Sequence, residues 1–219
     1  MVIKSIELAD YRNYEQLDLK FDKWINILYG DNAQGKTNIL EAIYLAATTK
    51  SHKGSKDREI INFQKEEAHI RTYLERDGVE TRVDMHLRKS GSKGIAIDGQ
   101  KIKKAAQLLG LCNVVFCSPE DLGIIKNGPA DRRRFVDMEL CQLDSAYLNN
   151  LNQYNRIVNQ RNKLLKDMYM TQGLGDMLSV WDMQLTSYGK QIIERRKLFT
   201  AQLNEIIYGI HKKLSGGKE

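Results

Sequence analysis

Only two prolines, Pro119 and Pro129, occur in 219 residues. Proline interrupts helices, so its scarcity leaves room for long unbroken ones. Cysteine is nearly as rare. Cys112, Cys117 and Cys141 are odd in number and two sit in an apolar stretch, which argues against a disulfide or zinc framework. They read as reduced core thiols of a cytoplasmic protein. The four histidines are scattered without the spacing of metal ligands along the chain. No apolar run approaches the length that spans a bilayer, and the first residues show no signal-peptide pattern, so no membrane partner is expected. What remains is ordinary globular material, 42% hydrophobic and 28% charged. A net charge of +6 permits a nucleic-acid partner, although the basic residues are not gathered in one block.

Periodicity divides the chain in two. Residues 2–8 and 16–21 read as strands, the second by its alternation of Leu17, Leu19 and Phe21 with polar neighbours. Residues 25–29 (Ile-Asn-Ile-Leu-Tyr) read as a third strand running into Gly30. Ile39, Leu40, Ile43, Tyr44 and Ala47 recur at helical spacing. Residues 50–58 read as a basic loop. Two hairpins follow, 68–75 with 80–88 and 94–98 with 100–102, turning at Asp77-Gly78 and Asp98-Gly99. A short helix is expected over 103–109 and a buried strand over 113–117.

The sequence changes character at Ser118-Pro119. Pro129 suits the first turn of a helix. Beyond it, Leu151, Tyr154, Val158, Leu165 and Met168 recur at helical spacing, and so do Trp181, Leu185, Tyr188, Ile192, Arg195, Phe199, Gln202 and Ile206. A heptad-like antiparallel helical hairpin with a turn at residues 171–175 is therefore expected.

Residues 30–37, Gly-Asp-Asn-Ala-Gln-Gly-Lys-Thr, fit Gly-x-x-x-x-Gly-Lys-Thr without a mismatch. Glycines let backbone N–H groups converge on an anion, and the helix that follows aims its positive end at the same point. Gly30, Asp31, Asn32, Ala33, Gln34, Gly35, Lys36, Thr37 and the adjoining Asn38 are thus expected to bind ATP. Lys36 would reach the β and γ phosphates, and the Thr37 hydroxyl would take Mg²⁺. Asn162-Lys163 continues Leu-Leu, not x-Asp, which argues against a GTPase. Neither Ile97-Asp98 nor Val136-Asp137 makes a convincing second acidic strand end for hydrolysis.

Around this motif the chain resembles the RecF family of SMC-like, ABC-type ATPases. Residues 6–14 (Ile-Glu-Leu-Ala-Asp-Tyr-Arg-Asn-Tyr) look like its opening strand and Phe-Arg-Asn-Tyr element, with Tyr11 replacing Phe. Residues 30–42 are close to its form of the P-loop. Ser51-His52-Lys53 is similar to its Ser-His-Arg, and residues 116–122 and 128–137 look like a further block. The resemblance implies an α/β fold: a nucleotide-binding lobe I over 1–117 with a mixed sheet and an antiparallel hairpin segment, then a helical lobe II over 118–219 with a long antiparallel helical hairpin. It implies ATP-dependent homodimerisation, double-stranded DNA binding, and work with RecR and RecO in loading RecA. Arg12 would approach the nucleotide. Family members are longer, so the chain is expected to lack the signature and Walker B segments and to turn ATP over poorly. Leu214-Ser215-Gly216-Gly217 reads either as a signature-like stretch or as a glycine cap ending a helix.

Arg132, Arg133 and Arg134 suit either phosphate contact or a solvated helix face. His52 with Lys50, Lys53, Lys56 and Arg58 suits DNA phosphates or a plain polar loop. Two other readings stay open: a different SMC-like ATPase, and a P-loop kinase for a small molecule.

Overall fold

The computed structural model describes residues 1–167 and 175–218. They form two compact units, Met1–Asp121 and Leu122–Glu219.

The first unit is built on a six-stranded sheet in the order β2-β1-β3-β4-β5-β6. The strands are β1 (Val2–Tyr11), β2 (Tyr14–Lys20), β3 (Glu67–Arg76), β4 (Val79–Arg88), β5 (Gly94–Ile97) and β6 (Gln100–Lys101). Every pairing is antiparallel, so the mixed sheet expected above is not found among the described residues. Two turns set the hairpin registers. Asp77 and Gly78 have φ of 53° and 80°, and Asp98 and Gly99 have 50° and 80°, the doubly left-handed pairs that match strand twist.

Strict alternation gives the sheet two unlike faces. Ile6, Leu8, Ala68, Ile70, Leu74, Val83, Met85, Leu87 and Ile95 are buried on one face. Helix α1 (Lys36–Thr48) covers it with Ile39, Ala42, Leu45 and Ala46. The intervening residues, such as Glu7, His69, Arg71, Asp84 and His86, stand on the other face. A four-residue helix, α2 (Asp57–Ile60), takes part of the expected loop 50–58.

Two expected strands do not form. Residues 25–29 are extended but join no ladder, and Ile25, Ile27 and Tyr29 are exposed while Leu28 packs against the core. Residues 113–117 behave alike: Val114 packs inward and Val115 is exposed. Both are largely apolar, but a strand also needs a neighbour to take its N–H and C=O groups, and no described strand lies beside them. Cys117 is exposed accordingly, against expectation, whereas Cys112 and Cys141 are buried free thiols. The helix expected over 103–109 shrinks to a single 3₁₀ turn, Ala105–Gln107.

The second unit holds α3 (Gly123–Lys126), α4 (Pro129–Leu143), α5 (Ser145–Asp167) and α6 (Gly175–Leu214). Pro129 opens α4, as its fixed φ favours. Helices α5 and α6 pack antiparallel. Asn150 donates to Gln191 at 2.9 Å, and Arg161 pairs with Asp182 at 2.6 Å, so one helix ascends as the other descends. Of the turn expected at 171–175, residues 171–174 lie outside the described residues, as does Met168, and Gly175 opens α6. Trp181, Leu185, Tyr188, Ile192, Arg195 and Phe199 face inward as the rhythm predicts, but Leu165 is exposed and the seam lapses by Ile206, also exposed. Among the described residues no helix is long and apolar enough to cross a membrane.

Helix α6 ends in a glycine cap. Gly216 is left-handed with φ 64°, and the Gly217 N–H reaches back to the Lys212 carbonyl at 2.9 Å. That six-to-one bond is how a helix C-terminus is closed when a left-handed glycine follows.

Candidate functional site

Residues 30–35 link the extended segment 25–29 to α1. Gly30 has φ 139°, Ala33 65° and Gly35 96°, so the loop repeatedly adopts backbone that side chains resist. Gly35 also faces a close approach. A Cβ there would lie 2.6 Å from the Tyr14 hydroxyl and 2.7 Å from the Asn13 amide.

The loop is held from one side by the link between β1 and β2. Asn13 Nδ2 and the Tyr14 hydroxyl both donate to the Gln34 carbonyl at 3.3 Å, and Asn38 Nδ2 donates to Asn13 Oδ1 at 2.8 Å. The opening element and the P-loop, far apart in sequence, are thus one assembly. Lys36 closes the loop from within, donating to the Gly30 and Asp31 carbonyls at 2.6 and 2.5 Å.

The start of α1 is suited to an anion. Gly35 supplies no side-chain cap, and the first turn contains no acidic residue. Orphan N–H groups and the positive helix end therefore meet the Lys36 ammonium with no carboxylate in the first turn of the helix. Thr37 is exposed beside Lys36. A phosphate chain fits this donor set. Mg²⁺, which keeps several waters, would need only the Thr37 oxygen from the protein side.

Two hollows flank the helix start. One, of about 500 Å³, is lined by Lys36 and Thr37 with Phe21, Trp24, Leu28 and Leu40. The other, of about 640 Å³, is lined by Arg12, Asn13, Asn38, Arg58, Phe63 and Lys89. Phe63 is 94% exposed there.

Arg12 borders the second hollow with its guanidinium turned toward α1. Its Nε and Nη2 donate to the two Glu41 oxygens at 2.9 and 2.8 Å, and it also reaches Ser55 and the Glu59 carbonyl. Glu41 is fully buried, and the Ser51 hydroxyl donates to it as well. Burial alone would raise the Glu41 pKa, but the Arg12 fork and Ser51 outweigh it and hold it below the usual carboxylate value. Four of the five guanidinium hydrogens are engaged, so Arg12 ties β1, α1 and the 55–59 segment together.

His52 turns inward, 4.0 Å from the Phe116 ring and 5.9 Å from Tyr44 between ring centres. Lys50, Lys53, Lys56 and Arg58 stay exposed. In the second unit Arg132 donates to the Ile124 and Asn127 carbonyls, while Arg133 and Arg134 are exposed. Sequence reasoning missed Asn13, Glu41, Ser51 and Phe63. The first three lie inside the family-like stretches 6–14, 30–42 and 51–53, which mark the positions without giving their partners, and nothing local marks Phe63.

A family profile described as an AAA domain matches residues 5–213. Curated relatives called DNA replication and repair protein RecF match the whole chain: 62% identical in Agathobacter rectalis, 61% in Lachnoclostridium phytofermentans and 45% in Clostridium perfringens. The chain spans about 60% of the length of these relatives. Two solved structures of the recombination mediator protein RecF, RecF-ATPrS and RecF-ATP, superpose with TM-scores of 0.92 and 0.94 at 34% identity, covering 98% of this chain and 58% of theirs. An Smc head bound to a winged-helix domain of ScpA, 19% identical with a TM-score of 0.50 over 63% of this chain, shares the fold alone.

Proposed function

Because the chain belongs to the AAA-domain family, within its RecF branch, we propose that it is the ATP-binding part of a cytoplasmic DNA-repair switch. The observation that carries this reading is the acid-free, uncapped start of α1 with Lys36 folded against it. Residues 30–38 bind the phosphates: backbone N–H groups of the loop and α1 supply the nest, and Lys36 exchanges its loop carbonyls for phosphate oxygens. Thr37 holds Mg²⁺, which screens phosphate charge when bound. The base lies in the hollow at Asn13, Asn38 and Phe63, where an exposed ring offers a stacking face. Arg12 borders the same hollow and ties the end of β1 to α1.

In the whole protein, ATP favours a homodimer on double-stranded DNA, which works with RecR and RecO to load RecA. The exposed Lys50, Lys53, Lys56 and Arg58 offer duplex phosphates a contact, which makes binding salt-dependent. The relatives' own function and the RecF-ATP structure support this reading.

Calorimetric titration with Mg-ATP tests it. Lys36→Ala is expected to weaken binding at least tenfold, or about 1.4 kcal/mol, while leaving the far-ultraviolet spectrum unchanged. Equal affinity in the folded variant would remove the phosphate site. Retention of duplex DNA is expected to rise with ATP in the wild type and not in Lys36→Ala.

A further inference from the structure

The sheet face opposite α1 carries a second cluster of potential ligands. In the β3–β4 hairpin, His69 stands directly across from His86, and Glu67 across from Arg88. Alternation puts all four on the same, outward face. The two imidazole rings stack at 4.2 Å with 18° between planes, and His86 Nε2 meets Glu67 Oε2 at 2.7 Å. One donor atom from each of Glu67, His69 and His86 falls within 4.8 Å of the others. The cluster borders a hollow of about 640 Å³ on this face, separate from both hollows beside α1.

We propose that Glu67, His69 and His86 bind a zinc-class divalent cation on the outer face of the sheet. Two imidazoles and one carboxylate form a borderline donor set that suits Zn²⁺, Ni²⁺ or Cu²⁺ in preference to Mg²⁺ or Ca²⁺. Zinc–nitrogen bonds of about 2.0–2.1 Å put neighbouring donors of one tetrahedral ion about 3.4 Å apart. The present spacing reaches that by rotation of side chains. Glu67 is half exposed, so its carboxylate can pivot from His86 toward an ion, and both histidines stand on ten-residue strands that fix their backbones.

One side chain must yield. Arg88 now donates to His86 Nδ1 at 3.1 Å, which leaves the ring proton on Nε2 facing Glu67. Coordination through Nε2 moves that proton to Nδ1, and Arg88 turns away while keeping its second partner, Glu67 Oε1, 3.5 Å off. Arg88 is nearly half exposed, so water replaces the lost contact. The ion would cross-link β3 and β4 near the start of β3 and leave a fourth position open to solvent or an outside ligand.

Titration with Zn²⁺ alone, followed by calorimetry and by thermal unfolding, tests the site. One ion per chain is expected. Its affinity should fall at least tenfold in His69→Ala and in His86→Ala, and Zn²⁺ should raise the melting midpoint of the wild type only. Co²⁺ offers a reading on the unaltered chain: bound at three protein donors it acquires the intense visible absorption of a four- or five-coordinate ion. Absence of binding at millimolar Zn²⁺, an aqueous-type Co²⁺ spectrum, or undiminished affinity in the double variant would each overturn the proposal. None of these outcomes depends on nucleotide binding.

Discussion

Arg12 has φ 52° and Asp10, two residues earlier, has 53°, so the end of β1 bends through conformations that non-glycine residues resist. The surroundings that hold this bend are the Arg12–Glu41–Ser51 bonds. Glu41 shows no surface, so its charge is tolerable only while those donors remain. Arg12→Ala is therefore expected to lower stability by about 3–5 kcal/mol, read from the urea midpoint. A loss below about 1 kcal/mol would mean that water reaches Glu41. The pH dependence has a definite sign. The folded-state pKa of Glu41 lies below the unfolded value, so its contribution is complete above that value, about 4.3, and fades as pH falls through the lower folded one. Below about pH 4 the wild type should lose stability more steeply than Glu41→Gln. At this scale the sequence was half legible. Residues 30–37 declare themselves because loop, lysine and hydroxyl are contiguous. The Arg12–Glu41 pair spans 29 positions and the His69–His86 stack depends on strand register, so neither leaves a mark on the linear chain.

Elements were legible where their cause is local. Both Asp-Gly turns announced their hairpins, and α1 and α4 begin where glycine and proline place them. The failures at 25–29 and 113–117 have the opposite cause, because a short apolar run shows that a segment can be a strand but not whether a partner lies beside it. Asp144 shows how much one residue at a junction can do. It follows α4 and accepts the Ala146 and Tyr147 N–H groups at 3.0 Å, capping α5. Its other oxygen binds Arg195 of α6 at 2.7 Å. The Arg195 bond, then the Tyr147 N–H, hold its pKa below the usual carboxylate value. Asp144→Ala should cost the helical unit about 1 kcal/mol for the cap alone, with the Arg195 pair lost besides. Asp144→Asn, which still caps, should cost less. Thermal melts at a helix-sensitive wavelength order the three proteins, and equal midpoints for the two variants would show that the cap contributes nothing.

At the scale of the whole molecule, the change of periodicity near residue 118 leads to an expectation of two lobes, 1–117 and 118–219, and the compact units of the structure are Met1–Asp121 and Leu122–Glu219. Each unit contains one of the two tryptophans. Trp181 is half-buried in the α6 seam, whereas Trp24 is 81% exposed and lines the same hollow as Lys36 and Thr37. The protein therefore carries a built-in optical label beside the loop proposed to hold phosphate. In Trp181→Phe the remaining emission should begin as that of a water-exposed indole and change in intensity or colour when Mg-ATP fills residues 30–38. An unchanged spectrum under calorimetrically saturating ATP would place the nucleotide wholly on the other side of α1, so the glow of one unpaired segment reports which flank of the helix is occupied.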